Sequence, residues 1–337
     1  MSICKRKPEV RERYFFHSFA RPKANQVEHE TLERSLSILA FMKEVGLVLA
    51  PEVVSWDITA SGGGNQRFSI LQRRACFNEL ALEELPPHSR IFGPTSLAFK
   101  IAELRGAGAT PVIYVPQGLQ DSPLSRISST CAYGAYHTQA VLKQLQGLKE
   151  QSDPQIAARL ANMPVSPDYE LILNNPDSAG NIVAEYRVPA KHVQHVLQHV
   201  GFNNIPFDHS TGILSVFLNM FYPTDNAHTG DDLGYYRQRE WRLIAGDLNF
   251  NGRPLGRSLT PDEVERLERI DGRFWNRELT IGEVTQRRSA LAIVYDPLPG
   301  WNFLKSVEAI YAPRHALDRI RAIVGSQPAA YEHPPEL

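Results

Sequence analysis

Two periods run through the hydrophobic and polar positions of this chain. Between Glu30 and Val45 the apolar residues Leu32, Leu36, Leu39 and Met42 recur every three or four positions, which predicts an amphipathic helix that Gly46 ends. Before it, Tyr14-Phe15-Phe16-His17-Ser18-Phe19 is an aromatic run with strand propensity, broken at Arg21-Pro22. After it, Leu47-Val48-Leu49-Ala50-Pro51 reads as an extended exit and Arg67 to Phe77 as a strand ending in Cys76-Phe77. From Pro94 to Arg105 the spacing of Leu97, Ile101 and Leu104 predicts a helix; Gly106-Ala107-Gly108 turns the chain, and Pro111-Val112-Ile113-Tyr114-Val115 is a short buried strand.

Helical patterns dominate from about Thr130 to Asn162, and Pro154 and Pro164 break them. The region Glu170 to Phe221 is mixed, with a turn at Asn175-Pro176-Asp177 and a strand at Ile182 to Tyr186. Thr260-Pro261-Asp262-Glu263 has the form of a helix start, with threonine as cap, proline first and glutamate third after the cap. Ser306 to Pro313 reads as a strand, followed by a helix with Ala316, Ile320 and Ile323 on one face. Together these predict an α+β fold, a mixed, mainly antiparallel sheet with flanking helices. It forms a single domain over 1–326, with a helical insertion at about 130–165 and a flexible tail at 327–337, where Pro and Glu accumulate.

Composition narrows the function classes. A formal net charge of -1 leaves no global field to recruit nucleic acid or an acidic membrane, although a local basic patch is compatible with it. Cys4, Cys76 and Cys131 are far apart and odd in number, which argues against a disulfide framework or a thiolate zinc site and points to a reducing cytoplasm. The first residues are basic but carry no apolar run of signal-peptide length, and no segment reaches roughly 18 uninterrupted apolar residues, so neither export nor a membrane span is expected.

Candidate chemistry concentrates in Tyr235-Tyr236-Arg237-Gln238-Arg239-Glu240-Trp241-Arg242, eight residues with one acid, three arginines and three aromatics. Read as a strand, Tyr236, Gln238, Glu240 and Arg242 share one polar face. A carboxylate flanked by guanidinium groups stays ionised and suits the stabilisation of developing positive charge. The same residues also fit a structural role, Glu240 pairing with Arg239 or Arg242 while Trp241 anchors the core. Elsewhere, Ser61-Gly62-Gly63-Gly64-Asn65 lacks the lysine and spacing of a phosphate loop and reads as a hairpin tip. His192, His195 and His199 would share a helix face, but without an HExxH arrangement, and no metal is expected. No carboxylate cluster supports a metal-dependent nuclease.

Several of these pieces occur in an order that resembles bacterial abortive phage resistance proteins of the AbiGi type: Phe16-His17-Ser18-Phe19 with the helix and Gly46-Leu47 behind it, Arg74-Ala75-Cys76-Phe77, Phe92-Gly93-Pro94 through Leu104, Gly108-Ala109-Thr110-Pro111-Val112-Ile113-Tyr114-Val115, Arg239-Glu240-Trp241-Arg242, and Ile310-Tyr311-Ala312-Pro313 with its helix. The set spans about residues 14 to 325. More distantly, the first part is similar to DNA-modifying ADP-ribosyltransferases of the DarT kind. That resemblance implies an ADP-ribosyltransferase-like fold with NAD as substrate, His17 holding the nicotinamide ribose and Glu240 as the catalytic acid. Ser18-Phe19 departs from the usual threonine after the histidine, and the family's catalytic arginine has only Arg67, Arg73 and Arg74 as candidates.

Under this reading Arg242 grips the pyrophosphate, Tyr236 or Phe77 stacks on the nicotinamide, and His17 and Glu240 face each other across one hollow. The target is a macromolecule, nucleic acid or protein. The competing expectation is a non-catalytic antitoxin or regulatory component of a defence or toxin-antitoxin pair, whose partner is a cognate toxin, antitoxin or phage-derived protein.

Overall fold

The computed structural model describes residues 12–24, 26–57, 67–116, 130, 132–134, 170–189, 218, 220–224, 239–245, 249–250, 253–281, 284–298 and 300–335. The chain forms two compact units, one of residues 1–128 with 219–337 and one of residues 129–218. The second unit runs well past the helical insertion expected at about 130–165, most of which lies outside the described residues. Its described part is chiefly an antiparallel hairpin of β7 (Glu170–Pro176) and β8 (Ile182–Pro189), closed by a turn in which the Asp177 carboxylate accepts the amides of Ala179 and Asn181.

The first unit is built on a sheet whose strands are β1 (Arg13–Phe19), β2 (Val48–Asp57), β3 (Arg67–Ala81), β4 (Thr95–Phe99), β5 (Thr110–Pro111), β10 (Glu240–Ala245), β13 (Gly256–Ser258), β16 (Ile293–Tyr295), β17 (Val307–Ala312) and β18 (Ala329–Glu332). Their order is β13-β16-β2-β3-β1-β4-β17-β18, with β10 joined to β3 and β5 to β10; every pairing is antiparallel except β17 with β18. Smaller pairs are β6 (Ile113–Pro116) with β9 (Phe221–Thr224), β11 (Asn249–Phe250) with β12 (Arg253–Pro254), and β14 (Glu278–Ile281) with β15 (Val284–Arg287). The helices are α1 (Glu28–Val45), α2 (Leu85–Phe92), α3 (Ile101–Gly106), α4 (Pro261–Ile270), α5 (Gly272–Trp275), α6 (Arg288–Leu291) and α7 (Leu317–Val324). The fold is α+β, as the hydrophobic periods imply.

Both faces of the sheet are covered. On one, the apolar stripe of α1 (Leu32, Leu36, Leu39, Met42) and Ile320 and Val324 of α7 pack against Phe15, Phe77, Leu97, Phe99, Leu243 and Ile310. On the other, Leu85 of α2 covers Phe16, Leu80, Ala98 and Ala309. Phe15 and Phe16 are adjacent in sequence and each fully buried, one on either face, and each contributes roughly 1.5–3 kcal/mol of transfer free energy. α4 is capped as its sequence predicts: Thr260 accepts from the Glu263 amide and the Glu263 carboxylate takes the Thr260 amide. Thr260→Ala is therefore expected to lower stability by about 1 kcal/mol in chemical denaturation, with the strand content of the circular dichroism spectrum unchanged.

Two expectations are corrected. Thr95–Phe99 is a strand rather than the first half of a helix, and only Ile101–Gly106 is helical. All five residues of β4 are buried, so the strand shows no alternation, and the spacing of Leu97, Ile101 and Leu104 imitates a helix by coincidence. The tail is likewise not frayed. Ala329–Glu332 pairs in parallel with β17, Ala330 is buried in the core, and His333 donates through Nε2 to the Pro94 carbonyl, 2.8 Å away. A Pro- and Glu-rich composition says little about a segment that completes a sheet.

Candidate functional site

β3 organises the site because it is longer than any one of its partners. Along one edge it pairs with β10 from Arg73 to Asn78; along the other it pairs first with β2, from Arg67 to Arg74, and then with β1, from Asn78 to Ala81. Arg74 faces both β2 and β10, and Asn78 both β1 and β10, so β1 and β2 must lie on the same edge and part from one another at Ala75-Cys76-Phe77. At this parting His17 donates through Nδ1 to the Cys76 carbonyl, 2.8 Å away. A carbonyl only accepts, so the proton sits on Nδ1 and Nε2 keeps its lone pair. Burial lowers the pKa of the half-buried ring, against the opposing effect of that hydrogen bond, and favours the neutral imidazole.

Glu240 opens β10, opposite Asn78 of β3. Its Oε1 accepts from Arg242 Nε at 2.7 Å, its Oε2 from the Tyr114 hydroxyl, and the Cys76 thiol also hydrogen bonds to the carboxylate. Burial pushes this carboxyl up, but Arg242, Tyr114 and Cys76 outweigh it and hold the group below the ordinary glutamate range. The same environment raises the Cys76 thiol to about 11, chiefly by burial and then through the neighbouring carboxylate. Arg242 is only 2% exposed. Its guanidinium stacks on the Tyr222 ring at 4.4 Å while Arg74 stacks on the same ring at 4.8 Å. Arg74 is paired in turn with Glu52, which also accepts from the Tyr222 hydroxyl at 3.4 Å. Arg242 Nη1 is buried without a hydrogen-bond partner, so the guanidinium depends on Glu240 for its compensation.

Comparison with family models, curated proteins and solved structures gives no match.

The geometry of the site rearranges several expected roles. Tyr236 and the rest of Tyr235 to Gln238 lie outside the described residues, as do the glycine run at 62–64 and His192, His195 and His199. The strand begins only at Glu240, because Arg239 has a φ of +44° and breaks the extended run. The Arg239 guanidinium pairs with Glu84 instead, its Nη2 2.7 and 2.8 Å from the two carboxylate oxygens. Phe77 is fully buried between His17 and Phe99, with ring centroids at 5.4 and 5.5 Å, and is core rather than a stacking surface for a nicotinamide. Arg242 is committed to Glu240 and Tyr222 and does not present a fork to a pyrophosphate. Of the arginine candidates, Arg74 lies on the Glu240 face, Arg73 donates to the Leu291 carbonyl, and Arg67 is exposed at the start of β3.

His17 and Glu240 do not face each other across one hollow. Directly paired residues share a face, and the registers Phe16↔Asn78 and Glu240↔Asn78 set Glu240 on the face of Phe16, opposite to that of His17. The face that Glu240 shares carries Ser18 and Asn78 instead. His88 of α2 bridges them, 3.2 Å from Ser18 Oγ and 3.0 Å from Asn78 Oδ1, and Ser18 continues to Ser96 at 2.7 Å. Burial, with His17 close by, pushes His88 down to about 4, so this chain of groups is uncharged near neutrality. Tyr114, Cys76, Tyr222 and His88 were not singled out by sequence. Only the reading of Tyr114 within a buried strand hinted that its hydroxyl needs a partner. Among the described residues no group of three or more His, Cys, Asp or Glu side chains is placed to hold a metal ion, and no helix is long and apolar enough to cross a membrane.

A pH dependence follows from Glu240. Its folded pKa lies below the unfolded one, so its contribution to stability is complete above about pH 4.3 and is lost as pH falls through the folded value. Tyr114→Phe removes one of the stabilising donors. It is expected to raise the Glu240 pKa in a carboxyl-carbon NMR titration and to shift acid unfolding to higher pH; a shift to lower pH would contradict the assignment.

Proposed function

We propose that this chain is an NAD-consuming phage-defence enzyme of the ADP-ribosyl-transfer type, with Glu240 as the group that stabilises charge on the ribose and a macromolecule as acceptor. Breaking the nicotinamide-ribose bond passes through an oxocarbenium-like state, and a fixed, ionised carboxylate is suited to stabilise it. The observation that carries the reading is the state of Glu240: a largely buried acid kept ionised by Arg242, Tyr114 and Cys76 at the start of a strand beside the parting of β1 and β2. Arg242 and Tyr114 act as positioning residues, fixing both carboxylate oxygens. The reading leans on Glu240 and its face, not on a pairing with His17. It is tested by incubating the full chain with NAD labelled in the adenylate half, in the presence of nucleic acid or protein acceptors. Release of nicotinamide is expected, with label passing to an acceptor or to free ADP-ribose. Intact NAD after prolonged incubation with folded protein would remove the proposal.

One observation favours a different class. Both oxygens of Glu240 are already hydrogen bonded within the protein and Arg242 is buried, the arrangement of a structural ion pair beside the Trp241 anchor. In that reading the chain is a non-catalytic antitoxin or regulatory member of a defence pair, and it forms a stable complex with a second protein while NAD is untouched.

A further inference from the structure

A row of aromatic rings starts on β1, one strand away from β10, and runs across the sheet to its last strand, β18. Tyr14 and Phe16 of β1, Tyr311 of β17 and Tyr331 of β18 follow one another with ring centroids 6.1, 6.0 and 5.9 Å apart. The register Tyr311↔Tyr331 places the last two side by side. Phe16 is buried, Tyr14 and Tyr311 are half-buried, and Tyr331 is 53% exposed. Among the described residues β18 pairs with β17 alone; on its other edge the Ala330 carbonyl accepts from Arg321 Nη2 at 3.4 Å, and no strand covers that edge.

Carboxylates border the row. Glu12 hydrogen bonds to the Tyr14 hydroxyl, and Glu12 and Glu308 both act on Tyr14 and Tyr311. Burial first, and then these acids, raise the Tyr14 hydroxyl to about 12, so this phenol stays neutral. Glu308 is bound to Lys100 at 3.0 Å, but both side chains are about half exposed, and such a pair is readily shared with another cation. Electron-rich ring faces with acids at their margin attract a desolvated cation, arginine above all. Nucleic acid bases could stack on the tyrosines, but the carboxylates would repel the phosphates.

We propose that Tyr14, Tyr311 and Tyr331, with Glu12 and Glu308, form a docking surface for a basic segment of a partner protein. An arginine of the segment lies over the tyrosine rings while its backbone adds to the open edge of β18. None of these five residues is a partner of Glu240, and the proposal holds whether or not the chain consumes NAD.

The test is calorimetric titration of the full chain with a six-residue peptide of alternating arginine and valine, and with the matching glutamate and valine peptide as control. The arginine peptide is expected to bind, more weakly as salt rises, and Tyr331→Ala and Glu308→Gln should each weaken it about tenfold. Both side chains are well exposed, and an unchanged thermal melt verifies that each variant is folded. The proposal is overturned if the wild type does not bind the arginine peptide, if the glutamate peptide binds equally well, or if both variants bind like the wild type. Sedimentation addresses a second copy as occupant: a dimer that Tyr331→Ala dissolves would assign the edge to self-association and also overturn the proposal.

Discussion

Replacing Glu240 by Gln is expected to lower folding stability by about 3 kcal/mol and, if the chain consumes NAD as proposed, to end that turnover. The loss of stability comes from Arg242, which is 2% exposed and has Nη1 without a hydrogen-bond partner, so its charge is compensated chiefly by the carboxylate. Breaking a buried pair from one side leaves an uncompensated charge, whereas replacing both partners with neutral groups of similar shape is far less harmful. The double variant Glu240→Gln with Arg242→Met should therefore recover most of the stability measured in urea. If Glu240 acts on the ribose, the double variant stays inactive at wild-type stability. Recovery of NAD turnover together with stability would reduce Glu240 to half of a structural ion pair.

Gly93→Ala should be the most damaging single methyl group in the described part of the protein. Gly93 follows α2 with a φ of +135°, where side chains are strained, and a Cβ there would stand 1.7 Å from the Phe19 carbonyl oxygen and 2.4 Å from its carbon. Both neighbours are backbone and cannot rotate away. The end of β1 would have to move, and Ser18 and His17 with it, at a cost of at least about 3 kcal/mol in urea denaturation. Gly106→Ala is the control. Nothing lies within 4 Å of a Cβ at that position, at the end of α3, so it should be neutral or stabilising by up to about 1 kcal/mol. Equal stability of the two variants would mean that the close approach of α2 to β1 is misplaced.

How far the site could be read from sequence differs from one residue to the next. Glu240 and Arg242 are two apart on a strand, so their contact needs only local geometry, and the alternation places it correctly. Tyr114 reaches the same carboxylate from 126 positions away, through the pairing of β5 and β10, which no local pattern announces. His17 lies on the opposite face from Glu240 for the same reason. A strand alternation says which side chains share a face, but not which face meets which partner, and a register change of one residue reverses the answer. The helical misreading of β4 has a related origin, since a strand buried on both faces has no polar positions to reveal its period.

Local chemistry, then, already decided the apolar stripe of α1, the capped start of α4, the aromatic first strand and the acid-arginine pair at 240 and 242, because each depends on residues within a few positions of one another. The order of strands around β3, the parting of β1 and β2 at Cys76, the burial that makes Arg242 depend on Glu240, and the tail that becomes the edge of the sheet were decided only in three dimensions. Backbone edges are satisfied by whichever distant segment completes them, and that choice is made by packing over the whole sheet rather than by the residues on either side.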